Sequence, residues 1–322
     1  MARSSYRAPW WLPNRHLQTV YPTLVLRPQP PAYRRVEWNT PDGDFLDVDW
    51  VDGPAGAPLI VLFHGLEGHS RSPYAAAMMR AVRDRGWRGV VPHFRGCGGR
   101  PNRLPRAYHS GDADEVDWIL RRLRGECEDP LFAAGVSLGG NALLKWLGRE
   151  GAGASSVVGA AAAVSAPLDL QAAGPALGRG LNRMYTREFL RTLIPKTRDK
   201  LGQQAHGFDL KRILAATDFE TFDDAYTAPA HGFADVNDYW KRASSKPDLP
   251  RIAVPTLVLN ARNGPFLPAR HLPGSGDVSD RITLDQPQAG GHVGFVSGPF
   301  PGNLSWLTGR VLDFFAVHLV SG

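Results

Sequence analysis

Two residues carry chemistry that their neighbours can sharpen, Ser137 and His292. Ser137 sits in the middle of Gly135-Val136-Ser137-Leu138-Gly139. An apolar run, Leu131-Phe132-Ala133-Ala134, precedes it, and a helical pattern of Ala142, Leu143, Leu144, Trp146 and Leu147 follows. The spacing predicts strand, sharp turn and helix with no loop between them, so the serine occupies the apex of a strained turn and glycines on either side let strand and helix approach. Its hydroxyl then faces the N-terminus of a helix, where free N–H groups and the dipole favour developing negative charge. That suits nucleophilic attack on a carbonyl.

A serine hydroxyl is a weak nucleophile at neutral pH and needs a base and oxyanion donors. The expected donors are the N–H of Leu138, directly after the nucleophile, and the N–H of Leu66, in the turn after the apolar run Leu59 to Phe63. His64, just before that turn, reads as a structural residue that orients it. Of the ten histidines, His292 is the expected base. It lies in Ala289-Gly290-Gly291-His292-Val293-Gly294-Phe295, after the last strand and before the last helix, where a sheet with its serine first in the chain places the base. His109 and Asp114 form an H-x4-D pair of the kind seen in some acyltransferases, but Asp114 falls in the first turn of a helix and the pair ranks far behind. Arg95 and Cys97, in a glycine-rich loop, read as packing.

The elements that must position these groups follow from periodicity. Residues 1–35 are interrupted by six prolines, from Pro9 to Pro31, and read as an irregular arm. Alternating runs around Pro41-Asp42-Gly43 predict a hairpin. Buried strands are expected at Leu59 to Phe63, Val90-Val91, Leu131 to Ala134 and Val157 to Val164, alternating with helices over Pro73 to Arg85, after an Asp112 cap, and after Ser137. This rhythm builds a mostly parallel sheet with helices on both faces and its loops at one edge. From residue 170 to 250 only helical patterns appear (Tyr185 to Leu193, Leu210 to Ala216, Val236 to Arg242), which reads as an inserted helical lid. The sheet resumes at Thr256 to Leu259 and Ile282 to Leu284, and a helix over about Leu304 to Leu319 ends the chain. The expected division is an arm at 1–35, a core at 36–169 and 251–322, and a lid at 170–250.

Composition excludes several classes. With 43% hydrophobic and 21% charged residues the chain is globular, and no apolar stretch reaches the roughly 18 residues of a membrane span. The first 15 residues lack the apolar centre of a secretory signal, so a cytoplasmic location is the expectation. The net charge of +6 comes from basic residues spread without a run of five, which argues against a nucleic-acid partner. Cys97 and Cys127 read as free thiols without metal-ligand spacing to a histidine. Oligomeric state leaves no readable mark.

The stretches WWLPNRHLQT, HGLEGHSRSPY, HFRGCGGRPNRLPRAYHSG, GVSLGGN, DDAYTAPAHGF with the following DYW, and GGHVGF together resemble the YheT-like branch of the α/β-hydrolases over nearly the whole chain. The resemblance implies an α/β-hydrolase fold, a Ser, His and acid triad, no metal or organic cofactor, and a small-molecule carboxylic ester as substrate. One departure matters. Similar proteins read Asn-Asp-Pro-Phe after the seventh strand, with that Asp as the triad acid, whereas here the segment is Asn263-Gly264-Pro265-Phe266. Asp169, after Pro167-Leu168 at the end of the sixth strand, is the expected replacement acid; its other reading is an N-cap, and Asn263 ranks second. Two functions stay open. One is a serine carboxylesterase acting on short- to medium-chain esters, with acyltransferase or thioesterase activity inside the same chemistry. The other is a weak or inactive hydrolase-fold binding protein, favoured by Gly264.

Overall fold

The computed structural model describes residues 5–202 and 207–319. Its strands are β1 (Arg34–Asn39), β2 (Phe45–Val51), β3 (Leu59–Phe63), β4 (Arg88–Pro92), β5 (Leu131–Val136), β6 (Ala160–Val164), β7 (Thr256–Leu259) and β8 (Ile282–Asp285). They form one sheet in the order β1-β2-β4-β3-β5-β6-β7-β8. The β1–β2 hairpin joins β4 antiparallel, and every pairing from β4 onward to β8 is parallel.

The continuous apolar runs are buried because both faces are covered. In β3, Leu59, Val61 and Phe63 enter one core cluster while Ile60 and Leu62 enter another, and β5 and β6 alternate in the same way. The first cluster is closed by α3 (Ala113–Glu126) and α4 (Leu138–Glu150), the second by α2 (Pro73–Asp84) and the terminal helix Ser305–Val317. Asp112 caps α3 by accepting the Glu115 N–H, but Glu115 does not complete a capping box. Its carboxylate turns instead to Arg95 Nε, 2.7 Å away.

The N-terminal arm departs from expectation. Arg15–Leu24 is a helix, α1, with Pro22 inside it, because Asn14 caps it by accepting the N–H groups of His16 and Leu17. Between β6 and β7 the described residues hold no strand, only α5 (Leu170–Leu177), α6 (Arg183–Leu201), α7 (Leu210–Leu214), α8 (Phe219–Phe222), α9 (Ala228–Ala230), α10 (Val236–Ala243) and short 3-10 and π-helical turns. The terminal helix is α11. Among the described residues no helix is long and apolar enough to cross a membrane.

Candidate active site

Ser137 joins β5 to α4 at φ 53° and ψ −119°, a region that L-residues rarely adopt. Its N–H donates to the carbonyl of Val164, 2.8 Å away, which ties the turn to the end of β6. Gly139 makes the turn possible. A Cβ there would stand 2.5 Å from the carbonyl oxygens of both Phe63 and His64, so only glycine lets α4 press against the end of β3. The serine hydroxyl is thereby held at the C-terminal edge of the parallel strands.

The partner arrives from 155 residues downstream: His292 Nε2 lies 2.9 Å from Ser137 Oγ. Its loop is built on glycine and braced by α1. Gly291 has φ 63°, and a Cβ on it would be 2.8 Å from Thr19 Oγ1. The His292 backbone N–H donates to Thr19 Oγ1 at 3.0 Å, and that of Val293 donates to Ser165 Oγ at 3.0 Å. Gln18, only 1% exposed, accepts Gly290 N–H and Asn263 Nδ2 on one oxygen, each at 2.9 Å. The imidazole stacks on Phe266 with centroids 3.8 Å apart and planes 20° from parallel. Burial pushes the imidazole pKa down to about 3, so it is neutral at pH 7. With Nε2 facing the Ser137 hydroxyl as acceptor, Nδ1 is assigned the proton, and among the described residues Nδ1 has no hydrogen-bond partner.

Gln18, Thr19 and Phe266 were not singled out from the sequence. The available signal was Asn14 directly before Arg15-His16-Leu17, a helix start that the surrounding prolines hid.

Leu138 opens α4, and Leu66 follows Gly65, whose N–H donates to the Tyr74 hydroxyl at 2.8 Å. Among the described residues neither Leu66 nor Leu138 has an acceptor for its own N–H. A Cβ on Gly65 would lie 3.2 Å from Ser137 Cβ, so this turn runs directly past the serine. His64 is structural as read. Wholly buried, it donates through Nδ1 to Gly65 O at 2.7 Å and accepts the Phe94 N–H on Nε2 at 3.0 Å, pinning two loops together.

Asp169 requires a correction. One of its oxygens accepts the Ala172 N–H at 3.1 Å and the other pairs with His271 Nδ1 at 3.2 Å; it has no bond to His292 among the described residues. The chain beyond β6 carries it to the start of α5, where it serves as the N-cap. Asn263 is likewise engaged, through Gln18 and the Gly291 N–H, in holding the loop. His109 and Asp114 do not pair either. Asp114 is bound by Arg149 at 2.5 Å, and the His109 ring packs among His231, Phe233 and Tyr239. Arg95 is neutralised by Asp42, Asp44 and Glu115, and Cys97 is buried.

Two cavities meet at Ser137. The larger, about 500 Å³, also touches His292, Thr19, Tyr74, Phe189 and Phe266. The smaller, about 110 Å³, runs between Leu170, Ala173, Leu177, Phe189 and Trp240.

This fold and this pairing of serine with histidine define an α/β-hydrolase, and a family model described as alpha/beta hydrolase fold matches residues 58–299. The chain belongs to that family and, within it, to the YheT-like branch. It is 40% identical over 314 residues to the protein named "Putative esterase YheT" of Escherichia coli (strain K12), covering 95% of this chain and 91% of that one. It is 28% identical over 329 residues to the mouse (Mus musculus) phospholipase ABHD3, covering 98% of this chain and 78% of the relative. Among solved structures, an esterase of Pyrococcus furiosus superposes with a TM-score of 0.57 at 14% identity, over 90% of this chain and 97% of the other, a likeness of fold.

Proposed function

We propose that the protein hydrolyses carboxylic esters by acyl transfer through Ser137. The observation that carries the reading is the 2.9 Å approach of His292 Nε2 to Ser137 Oγ at the apex of the strand-to-helix turn. His292 takes the hydroxyl proton as Ser137 attacks the ester carbonyl. It returns that proton to the leaving alcohol, then activates water to release the acid. The Leu66 and Leu138 N–H groups are the donors for the tetrahedral oxyanion. Esterase and phospholipase among the names of its relatives support an ester as the substrate class. The acyl chain occupies the 110 Å³ apolar cavity, whose size supports a short- to medium-chain acid, and the alcohol portion occupies the larger cavity. In this reading the helical segment between β6 and β7 acts as the lid over both.

A p-nitrophenyl butyrate assay run beside a fluorophosphonate probe tests this. Turnover with label on Ser137, both lost in Ser137→Ala and the turnover in His292→Ala, is the expected result. The second reading, a hydrolase-fold binder, rests on the absent carboxylate at Gly264. Folded protein with an unlabelled Ser137 and no turnover would establish it instead. Acyltransferase activity is separated by adding an alcohol acceptor and following ester formation, thioesterase activity by offering a thioester.

A further inference from the structure

Behind His292 lies a third, much smaller cavity. It is lined by Ser165, Asn260, Gly264, Gly291 and His292, with Phe266 closing one side, and its volume is about 10 Å³. His292 lines it and Ser137 does not, so it sits away from the Nε2 edge that faces the serine. The glycine creates this space. Gly264 has no side chain to enter it, and a Cβ there would lie 3.1 Å from the Ala261 carbonyl oxygen and 3.6 Å from that of Gly291.

The polar groups around it are incompletely satisfied in a complementary way. Asn260 is 5% exposed, and its amide orientation is fixed by donation from Nδ2 to Ala166 O at 2.9 Å. Its Oδ1 is buried without a hydrogen-bond partner. Ser165 Oγ accepts the Val293 N–H at 3.0 Å and keeps its own proton to donate. His292 presents Nδ1–H. The three groups together offer two donors and one acceptor around a space of one solvent molecule, and an unsatisfied buried acceptor costs roughly 1–3 kcal/mol. A cavity of this size holds a water when two to four polar partners surround it.

We propose that this cavity is a built site for a single water that accepts the His292 Nδ1–H and donates to Asn260 Oδ1, making Asn260 a positioning residue that acts on His292 through the water. The occupant must accept from one side and donate to the other. A bare carboxylate cannot donate to Asn260 Oδ1, which selects water. The bridge holds the imidazole in the tautomer that leaves Nε2 free for Ser137. Being neutral, it fixes orientation and stabilises the imidazolium less than a carboxylate would.

The inference rests on the Ser137 and His292 reading above, and two measurements keep them apart. A crystal structure of the wild-type protein, at a resolution that shows ordered solvent, should place one peak within hydrogen-bond distance of His292 Nδ1 and Asn260 Oδ1. Its absence overturns the site whatever the enzyme does. Kinetics then test the coupling. Asn260→Leu, which removes the acceptor, should lower kcat about tenfold with KM within twofold. Asn260→Asp, nearly the same shape, should move the acidic midpoint of the kcat/KM profile up by at least one pH unit, because a charge now faces the imidazole across the water. If both variants keep kcat within twofold and the midpoint within 0.3 unit, Asn260 does not position His292 and the proposal fails. Should Asn260→Leu fail to fold, Asn260→Asp alone decides. If the wild-type protein neither turns over ester nor labels at Ser137, the reading beneath has failed, and the solvent peak still decides the site.

Discussion

Thr19 and His292 lie 273 residues apart and are joined by a hydrogen bond from the His292 backbone N–H to the Thr19 hydroxyl, 3.0 Å long. The same hydroxyl donates to Arg15 O at 2.8 Å within α1, which fixes its rotamer while its oxygen accepts from the loop. The N-terminal helix is therefore part of the device that aims the imidazole. Thr19→Val keeps the shape and removes the acceptor. It should lower kcat about tenfold while KM stays within twofold, consistent with loss of one half-buried hydrogen bond, and Thr19→Ser should restore most of the rate. An unchanged kcat in Thr19→Val would show that Gln18 and Ser165 suffice to hold the loop.

The second prediction concerns charge. His292 is half-buried against Phe266, no carboxylate among the described residues bonds Nδ1, and desolvation pushes its pKa down to about 3. In the proposed mechanism the neutral imidazole is the base, so kcat/KM should hold its plateau well below pH 6, where an ordinary histidine with pKa about 6.5 is already protonated. Gly264→Asp places a carboxylate beside Nδ1. It should raise the imidazole pKa, shift the acidic limb upward, and raise kcat at pH 7.5 by at least about tenfold, given that loss of the acid in serine proteases costs about 10⁴. Because the new Cβ stands 3.1 Å from the Ala261 carbonyl, the loop must shift slightly, and the gain should fall short of that full factor. A pH profile identical to wild type would show that the carboxylate does not reach the ring.

Some of this was legible from residue order and some was not, for identifiable reasons. Ser137 was readable because strand, turn and helix are contiguous and Gly135 and Gly139 answer a local steric demand. The sheet was readable because runs such as Leu59 to Phe63 must be buried on both faces. Gln18 and Thr19 were hidden, since their partners Asn263, Gly290 and His292 lie 245 to 273 residues away and no periodicity links them. The helix that carries them was masked by Pro22, which propensity disfavours and which packing tolerates. Asp169 misled for a chemical reason. A carboxylate just beyond a strand's C-terminal end serves equally well as a triad acid or as a helix cap, and only its contacts with Ala172 and His271 decide between them.

A third prediction is about stability in acid. His64 is wholly buried, His109 and His292 are partly buried, and desolvation is the leading cause that pushes their pKa values down to about 3, about 4 and about 3. Unfolding releases them to an ordinary pKa near 6.5, so below that pH the unfolded chain binds more protons and stability falls as pH falls. Each histidine contributes up to about 1.4 kcal/mol per pH unit between roughly pH 6.5 and its folded value. The urea midpoint should therefore drop steeply from pH 6.5 to pH 4.5, before most carboxylates titrate. His64→Gln should be less stable than wild type at pH 7.5, yet its midpoint should change less over that interval. A midpoint that is level between pH 6.5 and 4.5 would mean that these rings are not held neutral.

The last prediction addresses chain length. The 110 Å³ cavity beside Ser137 is bounded by Leu170, Ala173 and Leu177 from α5 and by Trp240 from α10. Trp240 cannot be trimmed cleanly, because its indole N–H donates to Asp223 at 2.9 Å and its ring lies against Gly174. Leu177 is the better handle, being only partly buried at the end of α5. Leu177→Ala should lengthen the cavity by two to three carbons, each buried methylene being worth about 0.8 kcal/mol. The kcat/KM ratio for p-nitrophenyl octanoate over butyrate should then rise about tenfold, with the butyrate value itself nearly constant. A rise for both esters alike would indicate easier lid opening, and a fall for octanoate would place the acyl chain in the 500 Å³ cavity instead.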